Sequence, residues 1–291
     1  MFFGSIPALV TPFSNGRVAK DEFANFVEWQ IAQGSNALVP CGTTGEVATL
    51  TAEEHRDLIA LTIETAKGRA PVIAGCGTYS TAASIERSRV AADLGADAVL
   101  AVVPYYNKPS QAGLAAHFTA IADACPLPIV VYNVPSRTVA DISVETLAAI
   151  AKHPKIVAVK DATGNLARVT AQRLACGQDF CQLSGNDDMA LGFNAMGGVG
   201  CISVSANVAP KLCSDFQGAM REGRWDEALK LQDRLYPLHA ALFTDASPAP
   251  TKYALTRVRP GFPAELRLPL VEASDASKRA VDAALEHAGL I

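Results

Sequence analysis

At 291 residues the chain is longer than the commonest single domain but within the range of one α/β barrel, so a large core is available. Lys plus Arg number 25 against 29 Asp plus Glu, a formal net charge of -4 without charge runs, which argues against a nucleic-acid or anionic-membrane surface. Seven scattered cysteines, without a CxxC pair or a Cys/His ligand cluster, argue against a disulfide scaffold or a zinc site and read as reduced, mostly buried thiols of a cytoplasmic protein.

The amino-terminal stretch 1–13 is apolar but carries Pro7 and Pro12 and no basic leader, so it reads as a strand and not as a signal peptide. Short apolar runs rich in β-formers then recur at residues 5–10, 37–39, 72–74, 98–103, 129–132, 156–160, 180–184 and 199–203. They lack polar alternation, as parallel strands covered on both faces do, and helical stretches separate them. The stretch 21–33 stops at Gly34. Thr51 and Glu54 form a capping box ahead of an apolar stripe of Leu58, Ile59 and Ile63 that ends near Gly68, and the stretch 80–94 stops at Gly95. Eight such units predict a closed (β/α)8 TIM barrel over residues 1–223, since an open sheet would leave edge strands to protect. Helical patterns at 225–243, 249–259 and 277–287 predict a C-terminal extension over 224–291 packed on the barrel. No apolar run approaches the roughly 18 residues that a membrane span needs; the run from 96 to 103 ends at Pro104.

In such a barrel the chemistry gathers at the carboxyl ends of the strands. Lys160 stands there, alone among the ten lysines in closing an apolar strand, Ile156-Val157-Ala158-Val159. Burial penalises the charged form of an amine, and a neutral amine is nucleophilic towards a ketone carbonyl. The pattern therefore suggests a Schiff base with a small 2-oxo acid; the plainer alternative is a lysine that snorkels to solvent or pairs with Asp161. Tyr132 closes the preceding strand, where a phenol within reach of the amine can move protons, or is simply an aromatic at the barrel rim. Gly42-Thr43-Thr44-Gly45-Glu46 offers backbone amides and two hydroxyls in a glycine-bounded turn, suited to a carboxylate because it lacks the lysine of a P-loop. Arg137, in the loop after the fifth strand, is either a bidentate carboxylate clamp or a solvated loop arginine. Cys41, beside the turn, is a buried inert thiol unless the turn lowers its pKa.

These segments, with Pro104-Tyr105-Tyr106-Asn107, Tyr132-Asn133-Val134-Pro135-Ser136-Arg137-Thr138 and Lys160-Asp161-Ala162-Thr163-Gly164-Asn165, resemble the dihydrodipicolinate synthase family of pyruvate-dependent class I aldolases over the whole chain. The Gly-x-Thr-Gly-Glu turn and the lysine are general to that superfamily, whereas Pro-Ser-Arg-Thr after Tyr-Asn-Val is more specific. The resemblance implies that Lys160 forms the Schiff base with pyruvate and that Tyr132, Thr44 and Tyr106 relay protons. In the family the tyrosine matching Tyr106 reaches into a neighbouring subunit, which implies a homo-oligomer, a tetramer built as a dimer of dimers. The resemblance further implies that Arg137 holds the carboxylate of L-aspartate 4-semialdehyde. Thr43 and Thr44 would hold that of pyruvate, Gly185 and Ile202 would line the pocket, and no metal or organic cofactor is implied. Around the family's lysine-binding allosteric cavity the matching positions are Ala52, Tyr79 and Ala83, with only His55 and Tyr105 of the usual type, which implies weak or absent lysine inhibition. Two rival functions remain at this point: a sugar-acid aldolase, against which Arg137 argues, and a non-catalytic 2-oxo acid sensor, against which Lys160 with its proton relay argues.

Overall fold

The apolar runs become the parallel staves of a barrel in the computed structural model, which describes residues 2–291; residue 1 of the apolar amino-terminal stretch lies outside them. In chain order the strands are β1 (Gly4–Pro7), β2 (Phe13–Ser14), β3 (Arg17–Val18), β4 (Ile73–Gly75), β5 (Ala98–Val102), β6 (Ile129–Asn133), β7 (Ile156–Asp161), β8 (Cys181–Ser184) and β9 (Gly200–Ser203). The helices around them are α1 (Lys20–Ala32), α2 (Ala52–Ala66), α3 (Thr81–Leu94), α4 (Gln111–Ala124), α5 (Pro135–Thr138), α6 (Val144–Ile150), α7 (Ala167–Cys176), α8 (Ala190–Ala195) and α9 (Pro210–Arg221). After them come α10 (Trp225–Ala241), α11 (Ala249–Val258) and α12 (Asp275–Ala288).

Seven strands pair in parallel in the order β1-β9-β8-β7-β6-β5-β4. Residues 37–39 close the circle between its two ends. The expected second strand is there reduced to two bridges, Ala8 with Val39 and Leu38 with Val72. It is hydrogen-bonded on both sides, Val39 N donating to the Pro7 carbonyl at 3.0 Å and Leu38 N to the Pro71 carbonyl at 2.8 Å. Pro7, Pro40 and Pro71 crowd this seam, and each lacks the amide hydrogen that a longer ladder would need.

Alternation along each strand sorts side chains between two compartments. Ile6, Leu100, Val130, Ala158, Leu183 and Ile202 fill the barrel lumen. Their neighbours Val99, Ala101, Val131 and Val159 face the helix layer, in one core with Phe26, Phe118 and Phe216. The helix punctuation is local: Glu54 N donates to the Thr51 hydroxyl at 3.1 Å while the Glu54 carboxylate takes Thr51 N at 2.9 Å, completing the expected capping box. The end of α2 falls on Lys67, left-handed at φ 49°, one residue before Gly68.

One element went unread in the sequence. Asn15 and Gly16, at φ 52° and 75°, turn β2 back onto β3 as a small antiparallel hairpin. Asn-Gly between two short runs is a strong hairpin signal, because both central residues of the turn need positive φ. This hairpin is a docking point for the C-terminal extension. Leu235, Leu238, Leu255 and Val281, from α10, α11 and α12, share the core of the barrel helices. From residues 259–274, Arg267 reaches back across the molecule. Its guanidinium pairs with Glu54 at 2.5 Å, donates to the Thr49 and Gly16 carbonyls at 3.0 and 2.8 Å, and lies 4.3 Å from the centre of the Phe13 ring.

The hydrogen bonds from Arg267 pull the Glu54 carboxyl down from 4.5 to about 2. A carboxyl lowered in the folded state adds stability above its unfolded pKa and loses that contribution as pH falls towards the folded one. Chemical denaturation followed downwards from pH 4.5 to about 2 should therefore show a progressive loss of stability, which Glu54→Gln makes shallower while lowering stability at neutral pH. An unchanged profile in that variant would show the pair to be inert.

Candidate active site

The site begins with register. β6 and β7 are hydrogen-bonded neighbours in which Tyr132 lies opposite Lys160 and Asn133 opposite Asp161. Two residues after Val130 and Ala158, both side chains point into the lumen. Lys160 and Tyr132 are each only 6% exposed, and the Lys160 Nζ sits 4.1 Å from the centre of the Tyr132 ring. Asp161, one step further on, faces the other way. Its carboxylate accepts from Thr163 N at 2.9 Å, Arg168 Nε at 3.2 Å and Gln172 Nε2 at 2.7 Å. The plainer reading of Lys160 thus loses support in both its forms: Asp161 is committed to the helix layer, and the lysine side chain is almost wholly buried instead of extending into solvent.

The Gly42–Glu46 segment forms a tight 3-10 turn over Thr43–Gly45, with Thr44 buried and Thr43 exposed. Not all of its amides are available to an anion, as the sequence had suggested. Gly45 N donates to the Gly42 carbonyl and Glu46 N to the Thr43 carbonyl, each at 3.0 Å, so two are consumed inside the turn. The Thr43 and Thr44 amides have no partner among the described residues. The Thr11 hydroxyl donates to the Gly45 carbonyl at 2.8 Å and ties the turn to the segment after β1.

Arg137 lies in α5, directly after β6, and is exposed. With Thr43, Val47, Tyr105 and Ser247 it lines a cleft of ≈ 300 Å³. A narrower recess of ≈ 30 Å³ shares Thr43, Val47, Gly77 and Val102 with that cleft and reaches Cys41, Gly75 and Tyr132. The cleft that Arg137 lines and the recess that reaches Tyr132 thus adjoin at Thr43, with Lys160 against the Tyr132 ring.

The remaining predicted residues fall elsewhere. Gly185 donates its amide to the Asp161 carbonyl at 2.7 Å, and a Cβ there would stand 2.7 Å from that of Ala162, so β8 closes on β7 only because this residue is glycine. Ile202 is fully buried in the lumen, paired with Ile6. Neither lines the cleft or the recess. Tyr106 is 93% exposed, on a left-handed residue at φ 69°, so its ring is not packed beside Lys160 in its own chain. Cys41 is buried, and desolvation pushes its thiol up. Two groups at the site escaped sequence reading: Ser247, on the cleft wall, and Lys252, wholly buried and paired with Glu46. The signal for Lys252 was one of two charges, with Arg257, in a short helix, too common a feature to single out. Among the described residues there is no group of three or more side chains suited to hold a metal ion, and no helix long and apolar enough to cross a membrane.

The chain is similar over its whole length to known proteins. The model of the dihydrodipicolinate synthetase family matches residues 1–288. The 4-hydroxy-tetrahydrodipicolinate synthase of Rhizorhabdus wittichii is 63% identical over 290 residues, and that of Zymomonas mobilis 64% identical over 291, each covering 100% of both chains. The crystal structure of the chloride-inhibited dihydrodipicolinate synthase of Acinetobacter baumannii, complexed with pyruvate, superposes over 100% of both chains with a TM-score of 0.97 at 42% identity.

The cysteines offer a direct check on this packing. Desolvation raises the thiols of Cys41, Cys76, Cys201 and Cys213, pushes Cys181 to about 12, and leaves only the half-buried Cys176 both accessible and as low as about 11. Native protein treated with iodoacetamide at mildly alkaline pH should take up label slowly and chiefly at Cys176. Prompt labelling of Cys41, located by peptide mass mapping, would contradict the buried turn.

Proposed function

We infer that this chain, which belongs to the dihydrodipicolinate synthetase family, condenses pyruvate with L-aspartate 4-semialdehyde as a Schiff-base-forming lyase at the entry to lysine and diaminopimelate synthesis. The observation that carries the assignment of roles is the Lys160 amine held 4.1 Å from the Tyr132 ring on a side chain only 6% exposed.

In this scheme pyruvate enters past Arg137 and sets its carboxylate on the two unpartnered amides and the hydroxyls of Thr43 and Thr44. The Lys160 nitrogen attacks C2 of the keto acid, and the carbonyl oxygen becomes the hydroxyl of a carbinolamine. That hydroxyl leaves as water, which needs a proton delivered to the oxygen and one removed from the nitrogen. Tyr132, Thr44 and the Tyr106 of a neighbouring subunit supply this relay. The protonated imine draws electrons from the methyl carbon, so loss of one methyl proton gives an enamine. Its carbon attacks the aldehyde of the second substrate, whose carboxylate Arg137 clamps. The amino group of that substrate then adds to the imine carbon and displaces Lys160, closing the ring and returning the free amine. One water leaves per turnover, and the imine itself is the electron sink, so no metal or organic cofactor takes part. Gly185 and Ile202 act at one remove, Gly185 by letting β8 close on the Lys160 strand and Ile202 by filling the lumen below. The exposure of Tyr106 supports its working in another subunit, and with it a homo-oligomer, a tetramer as a dimer of dimers. A reduced cytoplasm suits the free thiols.

A sugar-acid aldolase would share the lysine and the turn; a guanidinium on the cleft wall favours a second carboxylate over a polyol. At the positions matching the family's lysine cavity, His55 is already spent on the Gly75 carbonyl at 2.7 Å, and Tyr79 stacks edge-on against Tyr105 at 5.4 Å. With alanine at 52 and 83, no carboxylate there meets the ammonium of free lysine.

Incubation with pyruvate and borohydride should fix one pyruvate on Lys160, seen by peptide mass spectrometry, and Lys160→Arg should take up none while losing turnover by at least ~10³-fold. An adduct without consumption of aspartate semialdehyde would redirect the activity to another aldol acceptor. Free L-lysine should leave turnover nearly unchanged; half-inhibition at sub-millimolar concentration would overturn the regulatory reading.

A further inference from the structure

The turn on which the pyruvate carboxylate is proposed to rest is closed by a residue the chemistry above does not use. Glu46 adopts the left-handed conformation, φ 57°, without being glycine. Its side chain is 1% exposed, and one carboxylate oxygen lies 2.5 Å from the Nζ of Lys252, whose side chain is 0% exposed. The other oxygen accepts Arg267 N at 3.1 Å. Lys252 also donates to the Glu265 carbonyl at 2.7 Å and lies 4.4 Å from the centre of the Phe13 ring. A clamp built from the C-terminal extension thus grips one side chain in the first β/α loops.

Its consequence passes through two rigid peptide planes. A peptide N–H points opposite to the C=O of the same plane. The Gly42 carbonyl is held by Gly45 N, which aims the Thr43 amide; the Thr43 carbonyl is held by Glu46 N, which aims the Thr44 amide. The second of these bonds is donated by Glu46 itself, and the first closes the same turn one residue earlier; a non-glycine residue stays left-handed, as Glu46 does, only when its surroundings impose it. The Glu46 carbonyl is itself held by Thr49 N at 3.0 Å. Rotation at Glu46 would swing the Thr43 carbonyl and, with it, the amide of Thr44.

We propose that the buried Lys252–Glu46 pair is a positioning device for the substrate carboxylate, fixing Glu46 so that the free amides of Thr43 and Thr44 converge on the anion. The inference rests on the reading of that turn as the pyruvate site. A pair serving stability alone could be exchanged for apolar groups of similar volume without kinetic effect. A pair that aims the amides cannot be exchanged in this way.

The test compares the full-length wild type with Glu46→Leu/Lys252→Met, which removes both charges, and with Glu46→Asp, which keeps both but shortens the reach. Each is assayed for thermal midpoint, kcat, KM for both substrates, and the pyruvate concentration that half-saturates borohydride fixation. In the double variant the midpoint should stay near wild type, while KM and half-saturation for pyruvate rise together by ~10-fold or more. The KM for aspartate semialdehyde should not follow, and kcat at saturating pyruvate should fall little. Glu46→Asp should show the same selective rise, and it decides the matter if the double variant does not fold. Wild-type half-saturation by pyruvate in either folded variant overturns the positioning role and leaves the pyruvate site standing. A wild type that fixes no pyruvate removes the site itself, and the inference with it.

Discussion

The structure depends on which way one strand faces. β7 brings an amine and a carboxylate on consecutive residues, and strand alternation sends Lys160 into the lumen and Asp161 into the helix layer. A one-residue slip would exchange them, placing a carboxylate against Tyr132 and the lysine among helices. The register is secured from both sides. Val130, Val131, Tyr132 and Asn133 pair with Ala158 to Asp161 on one side, and Cys181 to Ser184 pair with the same four residues on the other. Gly185 then lets β8 approach closely enough for its amide to bind the Asp161 carbonyl. The polar contacts of Asp161 serve the same end, since a carboxylate fixed by Thr163, Arg168 and Gln172 cannot turn inward.

A second constraint comes from far along the chain. Burying a lysine and a glutamate carries a desolvation penalty of several kcal/mol per ion, and removing one partner of such a pair typically costs about 3–5 kcal/mol. Lys252 and Glu46 meet this penalty with close contact and with further bonds, to the Glu265 carbonyl and from Arg267 N. Desolvation draws the Lys252 pKa down while the Glu46 charge opposes it. Arg267 extends the same staple to the Asn15-Gly16 hairpin and to the capping box of α2. The C-terminal extension is therefore part of the barrel's mouth as well as a cover for its outer helices.

The mouth is also where the chain leaves polar and aromatic groups exposed. Arg137, Thr43 and Tyr106 stand at the surface, while Lys160, Tyr132 and Thr44 are buried. Exposure thus separates the buried Lys160, Tyr132 and Thr44 from Thr43 and the Arg137 guanidinium, which line the cleft. Tyr106, on a left-handed residue, is almost wholly exposed.

The apolar runs and their spacing were enough to establish the barrel, because continuous β-branched stretches separated by capped helices have few other ways to bury themselves. The same local patterns marked Lys160, Tyr132 and the Gly42–Glu46 turn, since each sits at the end of a run. Local pattern also held the Asn15-Gly16 hairpin, which was overlooked although its signal was plain. Three things arose only in the folded chain. The second strand shrank to two bridges because three prolines distant in sequence meet at one seam. The amides of Thr43 and Thr44 have no partner among the described residues, whereas the turn consumes those of Gly45 and Glu46. Lys252 became part of the site's support, because its partner lies more than two hundred positions earlier, and pairing across such a separation leaves no periodicity in the chain to read.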